Sequence, residues 1–391
     1  MKVCLVHPFA YWLEGYSCGG AEKQVGLLAQ HLSRRGHDVT LVTTGHPGFE
    51  RRVAGVHVRP AWDTARGLRW VRAATYRLPS LRRVIKEVDA DLYYLFGTMA
   101  YSRWVVEAAH AVGAPAVLRA ASDVDLTSGW GRKIAGTGAS GALAGHLAWR
   151  LLQRRALYTA DAIVAQNTAQ VALCERMGLP HVLIPSIVEE PPHELLDIAP
   201  VYDAVWAGNV FSRARRVKGF DALTSVAEAL PDVRFAVLGN LVYPGLAGEH
   251  SRLEALPNTR RLGSLPYDGA QLCIAQSLLV LNTSSVEGVS NVMLEGWSLG
   301  KPSVTLAVNP SDLLSPRRWP VGGRPAHDFR HALGACAEGD GDLLVRLVEE
   351  ALSDETSRRA VGERCRDYVA SVHCPDAVCA RHEELASALR R

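Results

Sequence analysis

Two carboxylates, Glu287 and Glu295, stand with seven residues between them in the stretch Thr283-Ser284-Ser285-Val286-Glu287-Gly288-Val289-Ser290-Asn291-Val292-Met293-Leu294-Glu295-Gly296. An apolar run of strand length, Ser277 to Asn282, precedes it. After it, Val292, Met293, Leu294, Trp297 and Leu299 suit a short helix, closed by Gly300 and stopped by Pro302. The order is strand, polar turn with Gly288, and a helix opening at Ser290 or Asn291. Such an opening carries unpaired backbone N–H groups and the positive end of a dipole, which suit phosphate or sugar oxygens. Glu287 falls in the turn, and Glu295 about one turn into the helix on a neighbouring face. Carboxylates beside an anion site are costly unless neutral hydroxyls donate to them, as those of ribose and a hexose do. Two solvated acids on a surface loop and helix would show the same spacing without chemistry.

The stretch resembles the Glu-x7-Glu signature of retaining GT-B glycosyltransferases, in particular the family 4 group (glycosyl transferases group 1). The match runs through Glu287-Gly288, Asn291-Val292, Leu294-Glu295, Gly300-Lys301-Pro302 and Val304. The resemblance implies an α/β chain of GT-B fold, with two Rossmann-like parallel-sheet domains facing a cleft and a C-terminal helix crossing back to the first. The implied boundaries are an acceptor-binding domain over 1–187, a linker over 188–200, a nucleotide-sugar-binding domain over 201–375 and the returning helix over 376–391. It also implies roles. Glu295 would hold ribose hydroxyls, Glu287 would orient the transferred hexose, and Gly288, Val289, Ser290, Asn291 and Val292 would line the donor.

The composition fits this class. A chain of 391 residues suggests two domains or a little more, and 48% hydrophobic with 21% charged residues describes an ordinary globular protein. No apolar run approaches the ~18–20 residues of a membrane span. Met1 to Pro8 reads as a strand start, not a signal peptide. Eight scattered cysteines favour reduced thiols in the cytoplasm. His373, Cys374, Cys379 and His382 could be imagined as a zinc site, but cysteines five apart on a C-terminal helix share a face poorly. Small buried hydrophobes are the plainer reading of them. Charge is uneven: residues 1–190 hold 22 Lys/Arg against 15 Asp/Glu, and the remainder 21 against 25. An anionic partner for the first half follows.

Taken in order, Lys2 to His7 is a strand leading to Tyr16-Ser17-Cys18-Gly19-Gly20-Ala21-Glu22, then a helix through Val25 and Leu32, then a strand at Asp38 to Thr43. Gly19-Gly20 lets backbone approach a ligand, and its amides can hold phosphate at the helix start. It is not the dinucleotide fingerprint, which argues against a nicotinamide enzyme. A plain tight turn would look the same; in the family, a Gly-Gly-Ala-Glu loop here faces donor diphosphate and acceptor. Residues 66–86 carry Arg66, Arg69, Arg72, Arg77, Arg82, Arg83 and Lys86 without an acid, interleaved with Trp70, Val71, Tyr76 and Leu81. That is either a solvated helix face or a peripheral contact with the anionic inner face of a membrane. Pro79 speaks against one unbroken helix.

Asp91 to Phe96 and Ala116 to Arg119 are buried-strand candidates, whose carboxyl ends offer Thr98, Ser122 and Asp123 as acceptor contacts. Many relatives place a histidine after the second of these strands; Ser122 and Asp123 stand there instead, and Asp123 is the catalytic candidate in that position. A structural turn or cap reads equally well. Residues 128–148, rich in Gly, Ala and Ser, suggest a connection or lid. The second domain opens with a strand at Ala204 to Gly208, followed by Arg213, Arg215, Arg216 and Lys218 within six residues, a cluster that would repel unless solvated or facing an anion. In the family an arginine after the strand and a lysine before glycine grip the diphosphate. Lys218-Gly219 matches the lysine, while Asn209 holds the arginine position and Arg213 is a substitute. Gly263 to Tyr267 corresponds to the base-binding region, with Leu265 against the base. A strand from Ser303 to Val308, helices from Leu343 and Asp354, and an amphipathic helix over roughly 376–390 complete the chain.

The resemblance implies a metal-independent, retaining hexosyltransferase that uses a nucleoside-diphosphate sugar, UDP-linked, and a hydroxyl acceptor, with no cofactor and no nucleic acid. Glu287 and Lys218 carry the chemistry in this reading. A non-catalytic sugar-nucleotide-binding protein and a GT-B sugar-nucleotide epimerase are the other classes, and the acceptor is open between a lipid-linked glycan, a polysaccharide and a small natural product.

Overall fold

Apolar runs of strand length alternate along the chain with amphipathic helices, the pattern that builds parallel sheets covered on both faces. The computed structural model describes residues 1–7, 19–45, 50–63, 65–67, 72–99, 101–127, 153–209, 217–240, 252–320 and 332–391. The expectations for Tyr16 to Cys18, Arg69 to Val71, 128–148, Arg213, Arg215 and Arg216 lie outside the described residues. The chain divides into two units, Met1–Ile187 with Pro375–Arg391, and Val188–Cys374.

The first unit runs β1 (Lys2–Val6), α1 (Gly20–Arg34), β2 (Asp38–Thr44), β3 (Arg51–Val53), β4 (Val56–Trp62), α2 (Leu78–Val88), β5 (Leu92–Phe96), α3 (Ser102–His110), β6 (Ala116–Arg119), α4 (Arg154–Thr159), β7 (Ala162–Ala165), α5 (Thr168–Met177) and β8 (His181–Leu183). Its sheet has the order β3-β4-β2-β1-β5-β6-β7-β8. Every pairing is parallel except the β3–β4 hairpin. Two-residue alternation sorts the strands' side chains onto two cores. Cys4, Val6, Tyr93 and Leu95 pack with Leu81 and Ile85 of α2 and Val105 and Ala109 of α3. Val3, Leu5, Leu92, Tyr94 and Phe96 pack on the other face with Val25, Leu28 and Leu32 of α1. Pro79 sits in the first turn of α2, where a missing N–H costs nothing, and a π-helical turn at Ala73–Arg77 precedes it. Arg82, Arg83 and Lys86 are exposed on α2, whereas Arg66 lies 5.5 Å from the Tyr76 ring.

The second unit holds β9 (Tyr202–Ala207), α6 (Phe220–Ala229), β10 (Phe235–Leu238), β11 (Thr259–Gly263), α7 (Tyr267–Ala275), β12 (Ser277–Asn282), α8 (Asn291–Ser298), β13 (Ser303–Thr305), β14 (Ser315–Pro316), β15 (Gly334–Cys336), α9 (Gly341–Ser353) and α10 (Glu355–Val372). The order is β11-β10-β9-β12-β13-β15-β14, with parallel pairings throughout. Asp340 and Asp354 cap α9 and α10 with their carboxylates. The strand expected over Ser303 to Val308 ends at Thr305: its hydroxyl donates to the Val308 carbonyl at 2.7 Å and folds the chain into a turn.

The last helix, α11 (Pro375–Leu389), belongs to the first unit, burying Val378, Cys379 and Ala386 against the α1 face of the sheet. His373 and Cys374 precede this helix instead of lying on it. His382 packs edge-on against Tyr94 at 5.3 Å, and His373 against Tyr368 at 5.5 Å. No group of three or more His, Cys, Asp or Glu gathers as a metal site among the described residues, and no described helix is long and apolar enough to cross a membrane.

Candidate active site

Strand order reverses between β1 and β5 in the first unit and between β9 and β12 in the second. Connections leave in opposite directions there, which opens a crevice at the strands' carboxyl ends. In the second unit the residues following β9 and β12 bring a cation and a carboxylate together. Lys218 Nζ lies 2.6 Å from Glu287 Oε1, and the Ser284 hydroxyl donates to the same oxygen at 2.5 Å. Glu287 is largely buried, with 13% of its side chain exposed, while Lys218 keeps 30%. Among the described residues a cation and a hydroxyl hold one oxygen of this carboxylate.

Backbone constraints fix these groups. Gly219 follows Lys218 with φ at +62°, and a Cβ there would collide with the Thr283 carbonyl, so only glycine fits. The Ser285 amide donates to the Val217 carbonyl at 2.8 Å. Gly288 and Ser290 are buried, and Ser290 precedes α8 in extended conformation without a side-chain cap. Asn291 and Val292 therefore begin the helix, as the sequence pattern requires, and Glu295 sits partly buried in its second turn. Gly296 lets α8 press onto β12, because a Cβ would strike Val280. Val289, Val292 and Leu265 are partly buried against the core of the unit. Asn209 has a bridging role: its side-chain oxygen accepts from the Asn240 amide at 2.9 Å, joining the turns after β9 and β10.

In the first unit, Gly19 precedes α1 in extended conformation without a side-chain cap, and Gly20 begins the helix. Burial pushes the Glu22 carboxyl above its ordinary range, against the backbone N–H groups of Glu22 and Gly19, which favour its charge. His7, just past β1, is buried, and burial lowers its pKa to about 4, so it is neutral at physiological pH. Beyond β6, Ser122 precedes a short 3-10 turn that opens at Asp123. Burial raises the Asp123 carboxyl, although Gln170 donates to Oδ1 at 3.0 Å and partly offsets it. Ser122 caps the turn by accepting from the Val124 amide at 3.2 Å.

Thr98 lies in the turn after β5. It is fully buried, and its hydroxyl donates to Asp125 Oδ1 at 2.9 Å. The other Asp125 oxygen accepts from the amides of Ala121 and Ser122 at 2.8 and 3.0 Å. Asp125 thereby ties the turn after β5 to the turn after β6, and Thr98 serves that tie. Asp125, Ser284, Thr283 and Trp206 have no role assigned by sequence pattern alone. The signal for Asp125 was its place three residues after a capping serine; nothing local marked the others.

This architecture is that of the GT-B glycosyltransferases. Residues 19–185 match the family model described as glycosyl transferase 4-like domain. The first unit thus carries a glycosyl transferase 4-like match, and the fold of the whole chain is GT-B. Among solved structures, sucrose-phosphate synthase from Thermosynechococcus elongatus is similar at a TM-score of 0.73 and 15% identity, covering 99% of this chain and 98% of that one. WaaG, a glycosyltransferase involved in lipopolysaccharide biosynthesis, is similar at a TM-score of 0.67 and 16% identity over 97% and 98%. A variant of TarM from S. aureus, solved in complex with UDP, is similar at a TM-score of 0.59 and 13% identity over 79% and 59%. No curated protein matches the chain in sequence.

Proposed function

We propose that the chain is a retaining glycosyltransferase that moves a hexose or amino-hexose from a UDP-linked sugar to an acceptor hydroxyl, with the second unit holding the donor and the first the acceptor. The observation that carries this reading is the Lys218–Glu287 pair beside the uncapped start of α8. A departing diphosphate needs positive charge more than it needs a strong base. Lys218 supplies a point charge, and the amides opening α8 supply oriented dipoles, so the reading calls for no metal. Without donor, Lys218 has Glu287 as counterion. A bound diphosphate competes for the ammonium, and Glu287 then accepts from hexose hydroxyls and favours the positive charge that grows at the anomeric carbon. Glu295 holds the ribose, and Leu265 lies against the base. As the bond to the leaving phosphate breaks, the acceptor oxygen bonds to the same face of the carbon, and its proton passes to the leaving phosphate oxygen. Asp123, close to the carboxyl end of β6, hydrogen-bonds the acceptor or sugar in the place where relatives carry histidine.

The UDP seen bound to the structurally similar TarM supports a uridine donor. Exposed Arg82, Arg83 and Lys86 on α2 support a peripheral encounter with an anionic surface, where a lipid-linked acceptor would be met. Calorimetry with UDP and GDP tests the donor site. Wild type is expected to bind UDP, with Glu295→Ala and Lys218→Ala each weakening it at least ~10-fold. Equal affinity in all three proteins, or no binding by folded wild type, overturns the reading in favour of a non-catalytic chain.

A further inference from the structure

We propose that Thr283 is a positioning residue that sets Lys218 for the donor diphosphate, and that Trp206 sets Thr283; the inference rests on the donor site described above. The Trp206 indole Nε1–H donates to Thr283 Oγ1 at 2.8 Å, and the Thr283 hydroxyl donates onward to the Lys218 carbonyl at 2.8 Å. Thr283 is fully closed to solvent and Trp206 is 2% exposed. The hydroxyl thus has one donor and one acceptor, and its proton has a single direction to point.

The chain of bonds begins in β9, the strand beside β12, and ends on the residue whose ammonium meets Glu287. It is not the only attachment, and the others agree with it. Gly219, in the left-handed region, is wedged against the Thr283 carbonyl, with which any Cβ would collide. Val217 accepts from the Ser285 amide at 2.8 Å and from the Ser285 hydroxyl at 3.4 Å. The three residues 217–219 are therefore registered on the turn 283–285, the same turn that leads to Glu287. Ser284, between the two contact points, gives its hydroxyl to Glu287. One short turn positions both the cation and the carboxylate, with the Thr283 hydroxyl as the buried link to the sheet. Removing that hydroxyl leaves a buried indole N–H unpaired and takes the side-chain donor from the Lys218 carbonyl, and the cheapest relief is a shift of the 217–219 backbone. A displacement of about 1 Å in a charge-positioning segment is enough to cost up to ~100-fold in the reaction it serves.

The test compares UDP with uridine by calorimetry, because the ratio of their affinities isolates the diphosphate contact. Lys218→Ala, Thr283→Val and Thr283→Ser are measured beside wild type, each with its melting temperature. Thr283→Val is expected to lose most of the UDP-over-uridine ratio, at least ~10-fold, with uridine affinity little changed. Thr283→Ser, which keeps the hydroxyl, should retain it. A merely structural threonine would lower the melting temperature of Thr283→Val and leave the ratio at the wild-type value, which overturns the proposal. Should Thr283→Val not fold, Trp206→Phe probes the same chain from its buried end: a reduced ratio supports the proposal and a wild-type ratio overturns it. If Lys218→Ala itself keeps the ratio, the donor-site reading has failed. If Lys218→Ala loses it while Thr283→Val does not, only the positioning role has failed.

Discussion

Asp123, proposed above to meet the acceptor or sugar, shows at the scale of one residue what burying a carboxyl costs. Its carboxyl is raised by burial, with Gln170 donating to it. A raised carboxyl binds its proton more tightly in the folded protein than in the unfolded chain, so it costs stability at neutral pH. That cost is absent below the unfolded value of ~3.9 and grows as pH rises through the folded pKa. Asp123→Asn keeps an acceptor for Gln170 and removes the charge. It is expected to raise the melting temperature at pH 7, by an amount that fades as the pH falls below ~4, while reducing sugar transfer. Melting curves between pH 3 and 8 check this; a variant less stable than wild type at pH 7 would show that the charge is satisfied by partners stronger than Gln170. Neighbouring Asp125 has a different task, since both its oxygens accept from the turns after β5 and β6.

Among the elements, α11 has an exterior clasp besides its apolar face. Arg35 of the α1 C-terminus donates through Nε and Nη2 to the two Glu383 oxygens, each at 2.9 Å, and His37 Nε2 meets Glu383 at 2.7 Å. The paired guanidinium, aided by His37, lowers Glu383 to about 2. A depressed carboxylate contributes stability above its unfolded pKa of ~4.3, and the contribution is lost as pH falls through the folded value. The pair is partly solvated, so Glu383→Gln is expected to cost only about 1 kcal/mol at pH 7. The difference from wild type should shrink between pH ~4.3 and 2 in urea denaturation; a constant difference would mean that packing, not charge, is lost. These elements also mark how far the sequence was legible. Apolar runs at Lys2 to Val6, Leu92 to Phe96 and Ser277 to Asn282 disclose parallel strands buried on both faces, and Gly300 with Pro302 discloses where α8 must stop. Side-chain bonds between distant residues leave no periodic trace. The Thr305 hydroxyl that ends β13 early, the Asp125 tie that closes Thr98 from solvent, and the Trp206–Thr283 link all belong to that kind.

At the scale of the whole molecule, each unit has its own sheet and its own apolar packing, and the residues proposed to hold the donor lie in the second. UDP binding to the folded second unit should raise its stability by mass action, by ~2.7 kcal/mol at 100 times Kd. Hydrogen exchange should show that protection concentrated in β9, β12 and α8; protection confined to the first unit would contradict the assignment of roles. Catalysis needs more than binding, because only interactions stronger in the transition state accelerate the transfer. Turnover of a panel of α-configured UDP-hexoses against hydroxyl acceptors, with the anomeric proton of the product read by NMR, tests the central claim most directly. An α-linked product is expected, formed at least ~100-fold more slowly by Glu287→Gln. A β-linked product, or wild-type turnover in Glu287→Gln, would contradict it.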